Sequence, residues 1–258
     1  MNYKLLADTA MLAGEILLCS GAETYRVEDT MYHILKTSNS DSIEAMALMT
    51  GIIVTINDQS FEQPVSVIRR VNSRSTNISN IVNVNAISRK YCSGKITLEE
   101  AYDLLKKAKE RPYNRALYNI GTIGMVTGFA AMFGGTVTDL FVAALTGAVL
   151  AAFITFSKVV KLNGIFTNAL SGVLIAIFAT LVQGILMPTI AKDIIIISAI
   201  MPIVPGVAIT NAIRDTLQGD YLSGCARILE ALLIAAAIAV GVGLGVILCG
   251  MMLGGGAL

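Results

Sequence analysis

The sequence predicts an α-helical integral membrane protein in which about five transmembrane helices follow an N-terminal α+β domain. The first indication is composition, since 55% of the 258 residues are hydrophobic and only 14% are charged, whereas an ordinary soluble domain is roughly 25% charged. The second is distribution, because 14 of the 19 Lys and Arg residues precede Leu117 and nearly continuous apolar runs follow Tyr118. We therefore expect a charged domain over residues 1–114 and a transmembrane domain over residues 115–258.

The N-terminal domain is expected to contain its elements in the order α-α-β-β-α-α. Apolar residues at helical spacing predict its first helix. Ser20 and Glu23 have the spacing of a capping box that starts a second helix, and Thr97 and Glu100 have the same spacing before the last one. The expected elements are helices over residues 5–19 and 23–36, one strand or two short ones over 45–56, a strand over 65–71, and helices over 78–91 and 98–111.

Residue types argue against an enzyme or a nucleic-acid binder. His33 is the only histidine, which leaves no multi-histidine metal site and makes a nucleophile–base pair hard to assemble. No phosphate-binding loop and no dinucleotide fingerprint is present. The net charge of +1 gives no basis for nucleic-acid binding. We therefore predict no catalytic residues, no metal and no cofactor. The four cysteines have no spacing typical of a disulfide or a zinc site: Cys19, Cys92, Cys225 and Cys249.

The second half of the chain consists of apolar runs long enough to cross a bilayer, which takes about 20 residues per helix. Short polar or glycine-rich segments separate them. The odd count makes an internal inverted repeat within this chain improbable and indicates that another chain contributes helices if the pathway is pseudo-symmetric. The predicted spans are residues 115–133, 137–157, 165–187, 193–211 and 227–253.

The distribution of Lys and Arg orients these spans in the lipid bilayer. A run of basic residues between Lys106 and Arg115 precedes the first span. Lys158 and Lys161 follow the second span, and Arg214 and Arg227 flank the loop between the fourth and fifth, whereas the opposite side carries only Lys192. Cytoplasmic loops are enriched in basic residues. The sequence therefore predicts a plasma-membrane (inner-membrane) protein with a cytoplasmic N-terminus and an external C-terminus.

The fourth predicted span is interrupted in a way that is typical of a binding site. Pro202 and Pro205 each remove a backbone N–H and free a carbonyl group about four residues earlier, and Gly206 follows them. Unpaired carbonyl groups at membrane depth are tolerated only where protein or a water-lined cavity satisfies them. A packing kink followed by an ordinary charged loop explains the same pattern, and both interpretations stay open. Polar residues then follow: Asn211, Arg214, Asp215 and Asp220.

A few other polar residues lie in or near the predicted spans. Asp139 is near the outer end of the second span, where it is either a carboxylate of the transport pathway or a cap at the Thr136–Asp139 corner. Asn168 and Gln183 lie about four helical turns apart in the third span, so both are candidates for lining one pathway. Glycines four residues apart predict close helix packing at two places: Gly124–Gly128 and Gly241–Gly245.

Three stretches together resemble the threonine/serine exporter family, specifically its longer component, and the resemblance covers essentially the whole chain. They are residues 20–28 (SGAETYRVE), the corner from Phe133 to Asp139, and the stretch from Val204 to Arg227. The resemblance implies a secondary exporter of small hydrophilic metabolites, driven by the proton-motive force. It also implies a separate small partner of four to five spans, because the second half found in long single-chain members is not in this sequence. Related split systems are associated with succinate export.

The resemblance also marks the candidate site residues, to which we assign roles by their chemistry. Asn211 and Asp215 share a helix face, with Arg214 beside them. We expect Asn211 and the freed carbonyls to bind a substrate amine or hydroxyl, and Arg214 to bind a substrate carboxylate. Asp139 or Asp215 would take the coupling proton. The marked positions are Glu23, Arg26 and Glu28 in the N-terminal domain, Asp139 in the second span, and Pro205, Gly206, Arg214, Asp215, Gly219 and Asp220 in the fourth span and its loop.

Two other classes of function remain open at this point. In the first, the spans anchor a domain that modifies a metabolite. In the second, they anchor a ligand-binding sensor or a scaffold. Whether the N-terminal domain gates a pathway or assembles a homo-oligomer is also open. Ion pairing on a solvated helix face would account for Glu23, Arg26 and Glu28 without any transport role.

Overall fold

The computed structural model describes residues 2–59, 62–72, 74–110 and 114–252. The chain divides into two compact units, and each combines two segments of the sequence. The first unit contains Met1–Pro112 and Gly206–Leu229, and the second contains Tyr113–Pro205 and Glu230–Leu258. Most of the described chain is helical, with one small sheet near the N-terminus.

The first unit is an α+β structure built around α1. Its core contains large side chains that are fully buried, among them Leu6, Leu17, Met31 and Leu105. Two segments from the later part of the chain belong to the same unit, namely α9 and the beginning of α10. The elements are α1 (Tyr3–Cys19), α2 (Thr24–Lys36), β1 (Ser42–Leu48), β2 (Gly51–Asn57), β3 (Val65–Arg70), α3 (Ile78–Cys92), α4 (Leu98–Glu110), α9 (Gly206–Leu217) and the first residues of α10 (Tyr221–Met252).

The sheet is antiparallel, with the strand order β1-β2-β3. Alternate residues of the central strand, Ile52, Val54 and Ile56, are fully buried, as expected for a strand with one face on a core and one face toward solvent. Of the two alternatives expected for residues 45–56, one strand or two short ones, the structure has two, which form most of β1 and β2. The sheet therefore has three strands, one more than in the expected order α-α-β-β-α-α.

One of the two predicted capping boxes is confirmed and the other is wrong. Thr97 N–H donates to Glu100 Oε2 at 2.8 Å, and Glu100 N–H donates to Thr97 Oγ1 at 3.2 Å. Ser20 instead ends α1, and α2 begins at Thr24 behind Glu23, whose side chain forms no capping hydrogen bond. The reason is that the Glu23 carboxylate is bound by arginine side chains, so another residue must cap α2.

The second unit is entirely helical in its described part. Its core is formed by apolar side chains such as Val126, Leu150, Ile175 and Ile195. Within the described residues, three helices are long and apolar enough to cross a membrane: Val137–Val160, Gly164–Leu186 and Tyr221–Met252. The elements are α5 (Arg115–Met132), α6 (Val137–Val160), α7 (Gly164–Leu181) with a π-helical turn at Val182–Leu186, α8 (Lys192–Ile200) and the later part of α10.

The stretch predicted as a single fourth span, residues 193–211, is two helices in the structure. Helix α8 ends at Ile200 and α9 begins at Gly206, which follows from Pro202 and Pro205, since a proline cannot supply the N–H that continues a helix. Helix α9 belongs to the first unit, whereas α8 belongs to the second. The predicted loop before the fifth span is also shorter than expected, because α10 already begins at Tyr221.

The two pairs of spaced glycines behave differently. A Cβ atom added at Gly245 would lie 2.7 Å from the Val173 backbone oxygen, and one added at Gly241 would overlap the backbone of Ala169, so this part of α10 packs closely against α7. Close packing is thus confirmed for this pair. A Cβ at Gly124 or Gly128 would meet no described atom within 4 Å.

Candidate functional site

The site of the first unit is organised around the turn between α1 and α2. Helix α1 ends at Cys19, with Ser20 as its C-cap, and Gly21 follows with a φ of +81°, a left-handed conformation that favours glycine after a helix. Ala22 N–H donates to Leu17 O at 3.0 Å, which closes the turn. The backbone is thereby directed into α2 with the carbonyls of Gly21 and Ala22 available to other side chains.

Asp215 of α9 caps the N-terminus of α2. Thr24 N–H donates to Asp215 Oδ1 and Thr24 Oγ1 donates to Asp215 Oδ2, both at 3.0 Å. The first N–H groups of a helix have no partner inside the helix, and a negative charge there is favourable. Glu23 is the N-cap residue, but its side chain makes no capping hydrogen bond. Asp215, 191 residues further along the chain, makes that hydrogen bond instead.

Arg227 of α10 neutralises this buried carboxylate. Its Nε lies 2.8 Å from Asp215 Oδ2, and its Nη2 donates to Ala22 O at 2.8 Å. The two side chains are only 5% and 0% exposed. A buried ion pair is tolerated when its hydrogen bonds are satisfied, and it becomes strongly destabilising when one partner is removed. We call Thr24, Asp215 and Arg227 the clamp.

Helices α9 and α10 are held together tightly enough to place these side chains. A Cβ atom added at Gly224 of α10 would lie 3.0 Å from Ala212 O of α9. Asn211, one turn before Asp215 on the same face, donates its Nδ2 to Gly21 O at 2.8 Å. The face predicted from the spacing of Asn211 and Asp215 therefore exists, and in this structure it binds the α1–α2 turn.

Two further arginines, both exposed, bind the Glu23 side chain. Arg214 Nη1 donates to Glu23 Oε1, and Arg26 Nε lies 2.7 Å from Glu23 Oε2. Burial opposes ionisation of this carboxyl, but the Arg214 hydrogen bond and the nearby Arg26 charge outweigh it and lower the pKa of Glu23. The arginine side chains are 60% and 55% exposed, whereas that of Glu23 is 9% exposed. We call Arg214 and Arg26 the arginine pair, and Glu23 its internal carboxylate.

Two further carboxylates, Glu28 and Asp220, lie beside the clamp, and no salt bridge joins either of them to another described residue. Glu28 Oε1 accepts a hydrogen bond from Ala47 N–H at 2.8 Å. Burial raises the pKa of Glu28, and the negative charges of Asp220 and Asp215 add to the effect. Burial and the Asp215 charge also raise the pKa of Asp220. These two groups therefore take up protons more readily than ordinary carboxylates.

The second unit contains a separate buried carboxylate, Asp139, at the start of α6. Thr136 N–H and Thr136 Oγ1 donate to Asp139 Oδ2 at 2.8 and 2.7 Å, and Asp139 N–H donates back to Thr136 Oγ1 at 3.3 Å. Ala191 N–H, just before α8, donates to Asp139 Oδ1 at 2.9 Å. The residue is 2% exposed. The capping geometry that the sequence left open is therefore present, and it also fixes the segment before α8.

The remaining polar and helix-breaking residues singled out in the sequence lie in α7, in the π-helical turn and at the break between α8 and α9. Asn168 lies half-buried in α7. Pro202 and Pro205 form the break between α8 and α9, and Gly206 begins α9 with open space where a Cβ would lie. Gln183, in the π-helical turn, donates its Nε2 to Ile190 O at 2.9 Å.

The structure thus brings together the N-terminal motif, Glu23, Arg26 and Glu28, with Asn211, Arg214, Asp215 and Asp220, all within the first unit. Sequence reasoning missed two residues of the clamp, Thr24 and Arg227. Both lie inside the stretches that carried the family resemblance, but nothing in their local spacing indicated a partner. Among the described residues, no group of three or more His, Cys, Asp or Glu side chains is arranged to hold a metal ion.

Comparison with known proteins places this architecture in a family. A model of threonine/serine exporters matches residues 8–249. The chain is 25% identical over 247 residues to the "Probable threonine/serine exporter" of Mycobacterium tuberculosis, covering 94% of this chain and 46% of that protein. It is also 25% identical over 250 residues to the "Threonine/serine exporter" of Corynebacterium glutamicum, covering 93% and 50%.

The chain therefore spans about half the length of these curated relatives. No solved structure matches it. The match over nearly all of the chain agrees with the apolar helices of the second unit, which are those of a membrane protein. The chain belongs to the threonine/serine exporter family.

Proposed function

We propose that this chain is a subunit of a secondary-active exporter of small hydrophilic amino acids of the threonine and serine type. Membership of an exporter family supports transport. The observation that carries the substrate class is the arginine pair on Glu23, because two exposed guanidinium groups converge on one carboxylate. A substrate carboxylate has the same chemistry as the Glu23 side chain.

In this proposal Glu23 exchanges with the substrate. Arg214 and Arg26 bind the Glu23 carboxylate when no substrate is present. An incoming amino acid replaces it, since guanidinium groups bind carboxylates through paired donors. In the present state the Nδ2 of Asn211 donates to Gly21 O. Asn211 therefore becomes a donor to the substrate only when the α1–α2 turn moves away from α9.

The proton-motive force is proposed to drive export, with Asp139 as the carrier of the coupling proton. Asp215 is the less suitable of the two predicted carriers, because protonating it would break its ion pair with Arg227. Among the described residues, Asp139 accepts hydrogen bonds from Thr136 and Ala191, which are neutral donors. Its charge can therefore be neutralised without leaving a buried cation uncompensated.

We further propose a plasma-membrane topology of five crossings, in which α8, the proline break and α9 together form the fourth. The N-terminus is cytoplasmic and the C-terminus external, because basic residues cluster before α5. A small membrane partner of four to five spans would complete the pathway. The open glycine face of α5, where a Cβ at Gly121, Gly124 or Gly128 meets no described atom within 4 Å, offers a place for a helix of that partner.

A dicarboxylate such as succinate is the second candidate substrate. It is favoured by the presence of two exposed arginines rather than one, since each could bind one carboxylate. An α-amino acid would instead need an acceptor for its ammonium group beside the arginines.

The test is export of radiolabelled threonine, serine and succinate from cells that produce this chain with its candidate partner, compared with cells that lack both. Arg214→Gln should abolish export of the transported compound while the protein remains in the membrane. Arg89→Gln is the matched control, because Arg89 is an exposed arginine on α3, outside the site.

Three outcomes would contradict this proposal. Unchanged accumulation of all three compounds would favour an anchored sensor or scaffold. Equal export by Arg214→Gln and Arg89→Gln would show that the arginine pair does not bind the substrate. Export that is insensitive to collapse of the proton gradient would exclude proton coupling.

A further inference from the structure

The face of the sheet opposite the core carries an apolar row that crosses all three strands. Met46 pairs with Ile53, and Ile53 pairs with Ile68, so the three side chains form one line across the sheet. Met46 is 48% exposed and Ile68 is 74% exposed. A three-strand apolar row that faces solvent in the middle of a sheet is typical of an interaction surface. We call this surface the outer sheet face.

Polar residues of opposite charge lie on either side of this row. Glu44 pairs with Thr55, and Thr55 pairs with Ser66, on one side; Gly51 pairs with Arg70 on the other. Glu44 on β1 and Arg70 on β3 are exposed. They occupy diagonally opposite corners of the outer sheet face, with Ile53 midway between them.

We propose that the outer sheet face binds the same face of a second copy of this chain, forming a two-fold symmetric dimer. A symmetric interface must be complementary to itself. A two-fold axis that lies between the two faces, above Ile53 and perpendicular to the line from Glu44 to Arg70, exchanges the two corners. Glu44 of each copy then lies over Arg70 of the other, and the apolar rows meet at the centre.

The geometry of this dimer is one that β-sheets adopt. Strands are about 4.8 Å apart and residues on one face are about 6.8 Å apart along a strand. The Glu44–Arg70 diagonal therefore runs roughly 35° from the strand direction. The axis perpendicular to it lies roughly 55° from the strands, so the strands of the two copies cross each other at roughly 70°. This is close to the orthogonal class of sheet packing.

Charge argues against the two other occupants of such a face. One Glu and one Arg give the outer sheet face no net charge, so it has no attraction for an anionic lipid surface. A second copy requires Glu44 and Arg70 to lie symmetrically on opposite sides of Ile53, as they do, whereas binding of a different protein sets no such requirement.

The outer sheet face measures about 14 by 20 Å, roughly 300 Å², which is less than the roughly 800 Å² per partner of a standard interface. We therefore expect association mainly when both copies share a membrane, where their effective concentration is high.

Thiol cross-linking of the full-length protein in membranes tests the central contact. The variant Ile53→Cys is made in a background where the exposed Cys92 and Cys225 are replaced by Ser. Packed sheets lie about 10 Å apart, too far for most disulfides, so a short thiol-to-thiol cross-linker is used. Ile53→Cys should give a cross-linked dimer. Val82→Cys on α3, an exposed apolar position away from the sheet, should remain monomeric.

Exchange of the charges tests the proposed symmetry directly. Glu44→Arg or Arg70→Glu alone, in the Ile53→Cys background, places like charges opposite each other at two symmetric positions and should lower dimer yield roughly tenfold. The double variant Glu44→Arg/Arg70→Glu restores both pairs and should restore the yield. Thermal unfolding of each variant in detergent should be unchanged, because both side chains are exposed.

Any of four results would overturn the proposal. These are equal cross-linking at Ile53→Cys and Val82→Cys, no cross-linking at Ile53→Cys, cross-linking of Ile53→Cys to a different protein, and a double variant no better than the single ones. The readout is independent of transport, so it distinguishes failure of the dimer from failure of the proposed export function.

Discussion

Asp215 and Asp139 are both buried aspartates that bind the N-terminal turn of a helix, but they differ in how their charge is compensated. Asp215 caps α2 and lies 2.8 Å from Arg227. Asp139 caps its own helix, α6, and accepts from Thr136 and Ala191 only neutral hydrogen bonds. Loss of the Asp215 charge would leave Arg227 buried without a counter-ion, which is strongly destabilising. The comparison indicates that Asp215 is paired with a buried cation, whereas Asp139 is bound by neutral donors.

The largest expected effect is the loss of the clamp in Asp215→Ala. The variant leaves Arg227 buried without a counter-ion and removes both acceptors of Thr24. Removing one partner of a buried ion pair costs about 3–5 kcal/mol, which corresponds to a fall of roughly 6–20 °C in the unfolding temperature of a chain of this size. Thermal unfolding in detergent measures it.

The double variant Asp215→Asn/Arg227→Gln is the control for this interpretation, because it removes both charges together. It should be more stable than Asp215→Ala. A double variant as unstable as the single one would show that burial of the charge on Arg227 is not what makes Asp215 necessary.

The second expected effect is on export in Asp139→Asn. The asparagine keeps an oxygen that accepts from Ala191 N–H but cannot carry a negative charge. We expect the protein to fold and export driven by an imposed pH gradient to fall to near background. Transport in vesicles with and without the gradient measures it. Normal gradient-driven export by this variant would show that Asp139 is a structural cap and does not carry the coupling proton.

A smaller effect is expected at Thr24. Thr24→Val keeps the shape and the backbone N–H but removes the hydroxyl that donates to Asp215 Oδ2. A hydrogen bond to a charged group contributes about 1.5–3 kcal/mol, so the unfolding temperature should fall by less than in Asp215→Ala. Thr24→Ser, which retains the hydroxyl, should be close to the unchanged protein, and equal losses in Val and Ser would assign the effect to packing instead.

The smallest effect concerns pH and Glu28. Because burial and neighbouring negative charges raise the pKa of Glu28, the folded state binds its proton more tightly than the unfolded state does. This group therefore destabilises the fold at neutral pH. The penalty shrinks as the pH falls through the raised pKa and is lost below the ordinary pKa of glutamate. Glu28→Gln keeps an acceptor for Ala47 N–H and should raise the unfolding temperature slightly at pH 7, by less than about 4 °C, but not at pH 4. A gain of equal size at both values would contradict the sign of this shift.

Features that depend on neighbouring residues could be predicted from the sequence. The apolar periodicity gave the helices of the first unit, Thr97 and Glu100 gave a capping box, and Pro202 and Pro205 gave the break before α9. The spacing of Asn211 and Asp215 also placed them correctly on one face. In each case the partner atoms lie within about one or two helical turns, where chain geometry leaves few alternatives.

Features that depend on distant partners could not be predicted. Ser20 and Glu23 matched a capping box, but the real cap of α2 is Asp215, which no local pattern indicates. The same holds for Arg227, whose position near the start of an apolar run made it look like a basic flank of a membrane span. The family resemblance marked two stretches that meet in the structure, residues 20–28 and the stretch from Val204 to Arg227, but it assigned no contact to any residue in them.

The clamp also sets an order of events during synthesis on the ribosome. Thr24 emerges about 200 residues before Arg227, and at roughly 5–20 residues per second the first turn of α2 waits roughly 10–40 seconds for its cap and counter-ion. Residues 113–205 are translated during that interval. An N-terminal fragment ending near residue 112 would therefore be an unfinished structure and not an independent domain. A chaperone or the translocation machinery has that interval in which to act before the first unit closes.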